Sequence, residues 1–380
     1  MVKGVVIIFL LRKREKLPYE IIGEKLKIKV KQEKITLSLK PSDKLLLEKI
    51  RVQTNEQNLN NVTRTKSYLQ FYERHPEVHW ALLAHMVSRN GGWNMTDLKG
   101  EFLTRLLSNR EIKSFFDFLE RGNWIIFQDA FPQLLLYEES LRSSKPLFYL
   151  LPNLGVSTFM ETVWDYFWKY KKTNLLTIGL IINEQNYIEK RVVQHSVFKN
   201  QVFNKLEFKL QDLLSFNHIL FPYGQKNLIG KTVHHFDSLH ERILLGKRLY
   251  QILFQDKTRM EEVREWAKKH PHTGSRKDYW PHIYNNINEG MPGFPYQLRL
   301  QSCQLRPGAN KIYSPNLQTA WKNVQNEEAE IGDWFNEWNI ADYFMEENEM
   351  LDGEIKNDYC KTLEMLELAS LAKKALSIWE

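Results

Sequence analysis

Three stretches of this 380-residue chain place acid, base and cationic side chains at spacings that could do chemistry. The first runs from Glu77 to Asp97. On a helix, at about 100° per residue, Glu77, Ala81, Ala84, His85, Ser88 and Arg89 share one stripe of small and polar side chains, and the rest of the circumference is apolar. His85 and Arg89 stand one turn apart. Asn90, Trp93 and Asp97 follow across Gly91 and Gly92, which are expected to turn the chain. The stripe could line a pocket in which Glu77, His85 or Asp97 acts as acid or base and Arg89 holds an anion. The alternative is a satisfied buried network, with Arg89 paired to Asp97 or Glu77 and His85 bonded to a carbonyl.

The second stretch is residues 232–242, Thr-Val-His-His-Phe-Asp-Ser-Leu-His-Glu-Arg. On the helix expected over 231–254, His234, Asp237 and Glu241 fall within about 60° of one another, which suits metal ligation by one imidazole and two carboxylates. His240 lies in the apolar stripe of Val233, Phe236, Ile243 and Leu244, so it is expected to face the core. HExxH is absent, and a divalent metal on His234, Asp237 and Glu241 is the one cofactor these residues suggest. A core-facing histidine is more often structural. The third stretch holds His270, His272, Gly274, Ser275, Arg276, Lys277, Asp278, Tyr279, Trp280 and His282. Its small residues and cations could cradle a phosphate or carboxylate, although Walker and Rossmann spacings are missing; a solvated surface loop is the bland alternative. GxSxG is absent, and neither Cys303 nor Cys360 has a local signature of a nucleophile.

These residues need elements to position them. Composition is 43% hydrophobic, 26% charged and 13% aromatic, so the chain can bury a core in which large flat side chains do much of the packing. Helix signals dominate from about residue 66. Pro76 suits a first helical position, Asn109 can cap a segment ending at Gly122, and Ser157 precedes the aromatic helix 159–169. Further helices are expected at 175–198, 205–219, 231–254 and 259–269, with 175–182 equally readable as a buried strand. Between 271 and 315 fall ten of the 30 Gly and Pro residues, which requires a long irregular segment. The fold class expected is mainly α: a multi-helix globular bundle with this Gly/Pro-rich loop and a short N-terminal β extension. Residues 1–50 read as a basic extension, with the alternation at 26–31 and 35–40 suggesting a β-hairpin. Residues 51–65 read as a linker, 66–320 as the helical body, and 321–380 as an acidic helical segment packed on it.

The net charge of +7 looks like a polyanion signal until it is divided along the chain. Residues 1–50 carry 13 Lys and Arg against 6 Asp and Glu, while residues 321–380 carry 5 against 15. A basic body with an acidic tail can neutralise itself, which argues against nucleic acid and leaves a protein partner or a small anionic ligand. Two cysteines without CxxC spacing argue against a disulfide framework and suit a reducing cytoplasm. The apolar run 5–11 is short and precedes its basic residues, so neither a signal peptide nor a transmembrane segment is expected.

Residues 63–68 (Thr-Arg-Thr-Lys-Ser-Tyr), 76–93, 123–131 (Asn-Trp-Ile-Ile-Phe-Gln-Asp-Ala-Phe) and 232–242 together resemble the YppC-like uncharacterised family of Bacillus-type bacteria. The resemblance covers roughly residues 55–345. It implies a cytosolic bacterial protein and supplies no activity, cofactor or catalytic residue. Residues 84–92 are also loosely similar to the helix end that carries the acid in some lysozyme-like hydrolases, but Asn90 stands where their Glu would. The function expected is therefore a non-enzymatic binding or scaffold protein with a polar pocket. The alternative is a hydrolase-like enzyme, metal-dependent in one version, using the His/Asp/Glu cluster. The pocket residues would be Glu77, His85, Arg89, Asn90, Asp97, His234, Asp237, His240, Glu241 and Arg276.

Overall fold

A computed structural model of the chain describes residues 16–31, 39–199, 218–224, 226–289, 297–345 and 351–376. The expected helix at 205–219 falls almost wholly outside these residues, as does the apolar run at 5–11. The fold is mainly α, as the helical periodicity predicts.

The N-terminal half is a succession of helices: α1 (Pro18–Lys31), α2 (Pro41–Gln57), α3 (Asn61–Arg74), α4 (His79–Asp97), the single turn α5 (Leu103–Leu106) and α6 (Asn109–Ser143). After a 3-10 segment (Phe148–Leu154) come α7 (Thr158–Tyr170), α8 (Thr173–Ile188) and the turn α9 (Ser196–Phe198). Ser157 and the Ser108/Glu111 capping box start α7 and α6 by taking up otherwise orphaned backbone N–H groups. Helix α8 is buried along most of its circumference, and the ambiguity at 175–182 resolves in favour of helix. It achieves close approach through glycine. A Cβ on Gly179 would lie 2.6 Å from Val163 Cγ1 of α7, and one on Gly246 would lie 2.6 Å from Ile181 Cγ2.

Beyond α9 an antiparallel hairpin, β1 (His218–Tyr223) and β2 (Asn227–Thr232), precedes α10 (Leu239–Phe254) and α11 (Lys257–Lys269). The Gly/Pro-rich region is ordered where described. A two-residue parallel pair, β3 (Tyr284–Asn285) with β6 (Ile312–Tyr313), brackets a tight hairpin, β4 (Leu300–Gln301) with β5 (Gln304–Leu305). A short helix α12 (Leu317–Ala320) leads into a strap over 321–337, a 3-10 turn (Trp338–Phe344) and the last helix, α13 (Lys356–Leu376). One large aromatic core joins α1 to α4, α6 to α8, α10 and α11 with Phe335 of the strap and Phe344 of the 3-10 turn. A second, around Trp93, Trp280, Tyr284 and Tyr359, joins the end of α4 to α13.

Several local expectations are corrected. Residues 18–31 form a helix instead of a strand, because Ile22 and Leu26, one turn apart, are both fully buried while Ile28 stays 59% exposed. The alternation that suggests a strand there is Lys spacing on the wet face. The expected linker 51–65 is the end of α2 and the capped start of α3. Gly91 and Gly92 do not turn the chain, since α4 runs through them, and α6 runs through Gly122. Residues 321–337 have no regular secondary structure in place of the expected helix. The cysteines are bonded to one another, Cys303 to Cys360.

Candidate functional site

The geometry of the site begins with α3. The Asn60 side chain accepts the Thr63 N–H at 3.1 Å, and that cap fixes the phase in which Asn61 and Thr65, one turn apart, meet α4. Asn61 Nδ2 donates to the Ser88 carbonyl at 2.9 Å, and the Thr65 and Ser88 hydroxyls share a hydrogen at 2.7 Å. His85 Nδ1 lies 2.8 Å from the Thr65 carbonyl. A carbonyl only accepts, so Nδ1 carries the hydrogen and Nε2 presents a lone pair. That Nε2 is buried and has no partner among the described residues. Burial, reinforced by the nearby Arg89 charge, holds His85 well below the usual imidazole range, so the ring is neutral.

The segment after α11 closes over this face. Asn61 Oδ1 meets His272 Nε2 at 2.7 Å, where His272 donates, and His272 Nδ1 faces Asp278 Oδ2 at 3.7 Å. Gly92 makes room for the ring: a Cβ there would fall 2.4 Å from His272 Nε2 and 2.3 Å from Asn61 Oδ1. Burial pushes His272 down to about 4. Arg89, fully buried, donates from Nη1 to the His270 carbonyl at 2.6 Å, and its guanidinium carbon lies 4.7 Å from the Trp266 ring centre and 5.3 Å from that of Tyr279. Its Nε and Nη2 are buried and make no hydrogen bond of good geometry among the described residues, nor does the Tyr279 hydroxyl, but the two side chains interact with each other, and the Arg89 guanidinium draws the Tyr279 pKa down against its burial.

Nε and Nη2 form one edge of the guanidinium plane, the edge that takes a carboxylate or phosphate side-on. The same chain shows that edge filled elsewhere. Arg276 donates Nε to Asp97 Oδ2 at 2.7 Å with Nη2 2.6 Å from the same oxygen as an ion pair, lies over Trp93 at 3.9 Å and donates Nη1 to the Tyr359 hydroxyl at 2.7 Å. Burial lifts the Asp97 carboxyl above its usual value, and the Arg276 charge offsets this only in part.

The ten sequence-derived candidates therefore divide. His85 and Arg89 share one centre. Asp97 and Arg276 pair with each other eight residues further along α4, about 12 Å along its axis. Glu77 sits before the other end of the helix, accepting the Tyr137 hydroxyl at 2.7 Å. Asn90 bonds the backbone of β1 through Leu220, accepting at 3.0 Å and donating at 3.2 Å. His234 and Asp237 are exposed in the loop between β2 and α10. His240 is also exposed, with Nδ1 2.8 Å from the Tyr343 hydroxyl, and does not face the core. The reason is phase: α10 begins at Leu239, capped by Ser238, so Ile243, Leu249 and Ile252 point inward. Glu241 is half-buried at that helix start. Among the described residues no group of three or more His, Cys, Asp or Glu is arranged to hold a metal ion. His85 and the residues around His234 do not converge.

Sequence reasoning missed a second polar centre inside the bundle. Asp129 of α6 accepts from Gln133 Nε2 at 2.9 Å and from Asn183 Nδ2 of α8, and its Oδ1 is buried without a partner among the described residues. Burial pushes Asp129 up to about 7, and the neighbouring Glu184 likewise to about 7. Arg64 and Glu120 form a third buried pair, 2.9 Å from Nη1 to Oε2. An acid inside an otherwise apolar helical run was the available signal for both acids of α6. The best-formed pockets among the described residues are small, about 10 Å³ each; one lies between Asp97, Arg276, Tyr284, Leu363 and Leu366, the other between Asn60, Phe116 and Trp321. No helix among the described residues is long and apolar enough to cross a membrane.

Comparison with known proteins adds kinship without an activity. The chain is 47% identical over 233 residues to the uncharacterized protein YppC of Bacillus subtilis (strain 168), covering 61% of this chain and 72% of that one. No solved structure matches. A family model described as protein of unknown function (DUF2515) matches residues 56–360, and the chain belongs to that family.

Proposed function

We propose that this chain is a non-enzymatic binding protein whose recognition centre is the side-on edge of Arg89, with His85, His272 and Tyr279 around it. The ligand class is a small carboxylate or phosphate group. The observation that carries the reading is the fully buried Arg89 guanidinium, which has no carboxylate partner among the described residues, whereas the buried Arg276 has Asp97. A bare guanidinium edge in the interior costs several kcal/mol, of order 3 or more, unless something completes it. The bare lone pair of His85 Nε2 suits a hydroxyl or protonated oxygen on the same ligand. Residues 270–279 form the cover, so entry requires that segment to lift. A cytoplasmic location belongs to the same reading, which requires the Cys303–Cys360 bond to persist in a reducing compartment, and cell fractionation tests it.

The test is thermal denaturation and titration calorimetry with formate, acetate and inorganic phosphate, on the wild type and on Arg89→Met. A ligand present at about 100 times its Kd stabilises by about 2.7 kcal/mol. At least one probe is expected to raise the wild-type midpoint and leave a correctly folded Arg89→Met unmoved. Equal shifts in both proteins, or none in the wild type, would sink the proposal.

A further inference from the structure

We infer that the Cys303–Cys360 disulfide is a redox latch that controls whether α13 covers the Trp93–Arg276 cluster. Three observations carry this. The bond ties α13 to the β4–β5 hairpin across 57 residues of sequence. The hairpin loop it holds is strained: Ser302 and Cys303 both occupy the left-handed region, at φ 49° and 59°, in a two-residue turn that ordinarily takes Asn-Gly.

Finally, α13 itself supplies the groups that hold that hairpin. The Glu367 carboxylate accepts the backbone N–H groups of Arg299 and Leu300 at 2.9 Å each, and Glu364 accepts that of Ser302. On the adjoining part of the same face α13 lays Tyr359 on Trp280 at 4.6 Å, accepts from Arg276 through the Tyr359 hydroxyl, and walls the small pocket beside Arg276 with Leu363 and Leu366. Opening the bond removes the crosslink and lets the turn relax, and the same helix that loses the hairpin is the one that covers Arg276.

The chemistry is thiol–disulfide exchange. One thiolate of a dithiol reductant attacks a cystine sulfur, forms a mixed disulfide and expels the other cysteine as thiolate, which takes up a proton. The reductant's second thiol then closes on the mixed disulfide, releasing the remaining cysteine as thiol and leaving the reductant as a cyclic disulfide. Two electrons and two protons pass to the protein. Neither cysteine is fully buried, so the bond is within reach of a reductant.

The test is hydrogen exchange on the full chain, air-oxidised or reduced with dithiothreitol, with thiols counted by alkylation, and on Cys303→Ser. Amides of 356–370 are expected to exchange about tenfold faster or more in the reduced and substituted proteins, with α7 and α8 unchanged. Unchanged exchange in α13 of a fully reduced chain overturns the latch. Loss of protection throughout the bundle overturns it as well, because the bond is then a general staple. Two alkylatable thiols in the air-oxidised protein overturn its premise.

Discussion

Replacing Asp129 by Asn should make this protein more stable at pH 8 and leave it unchanged at pH 4. Asp129 is 3% exposed, and burial pushes its carboxyl up to about 7 against the hydrogen bonds from Asn183 and Gln133. In the unfolded chain an aspartate titrates near 3.9, so between about pH 4 and 7 the folded state binds a proton the unfolded state lacks. Stability therefore falls as pH rises through that window. A shift of about 3 units corresponds to at most ~4 kcal/mol. With an unfolding entropy of about 2.1 cal/mol/K per residue, that is about 5 °C in midpoint for a chain of this length. Asparagine keeps the acceptor that Gln133 and Asn183 use and removes the charge. The assay is thermal unfolding of both proteins from pH 4 to 8 in one buffer series. The difference in midpoint should grow from near zero to several degrees in favour of the variant. Parallel curves for the two proteins would refute the claim that Asp129 ionises against its burial.

The histidines run the other way. Burial lowers His79, His218 and His272 to about 4, so the stability they contribute is full above about pH 6.5 and is lost as pH falls toward 4. His272→Gln should flatten part of the acid limb of a denaturation curve, and an unaltered acid limb would contradict its neutral buried state. Asp97→Asn leaves the Arg276 charge buried beside Trp93 without its carboxylate and should cost about 3 to 5 kcal/mol by urea unfolding. Gly92→Ala puts a methyl into the space held by His272 and Asn61 and should cost about 1 to 3 kcal/mol, displacing the His272 ring resonances in an NMR spectrum.

What was legible in the sequence was the period of the helices and the polar stripe of α4. His85 and Arg89 were placed together because i and i+4 on one helix are neighbours whatever the rest of the chain does. Everything that depended on a second element was harder. Asp97 was offered to Arg89 by proximity in sequence, yet eight residues carry it along the axis to Arg276, a residue 179 positions away. Thr65, whose carbonyl sets the His85 tautomer, and Asn61, which meets His272, lay in a stretch that read as linker because its Asn-rich composition hides a capping box. The glycines misled for a related reason. Gly92 sits inside a helix where other side chains press on the backbone, and a sequence cannot distinguish that use of glycine from a turn. His234, Asp237 and Glu241 failed as a helical set because β2 and a loop occupy 227–238, and the wheel on which they align does not exist.

The contrast between the two arginines of the α4 face also bears on why Arg89 is bare. A carboxylate is close at hand: Asp278 is adjacent in sequence to Tyr279, whose ring faces the Arg89 guanidinium. Asp278 is committed elsewhere, accepting the Thr273 N–H at 2.7 Å and the Thr273 hydroxyl at 2.8 Å, which ties down the cover segment itself. A fold selected only for stability would gain by turning that carboxylate toward Arg89 or by replacing Arg89 with an apolar residue of similar volume. Instead the chain uses its nearest acid to brace the cover, holds two imidazoles neutral beside the guanidinium, and clears Gly92 so that one of them fits. Such an arrangement leaves a desolvated guanidinium with no carboxylate partner among the described residues, and preorganisation of that kind is what the proposed binding centre requires.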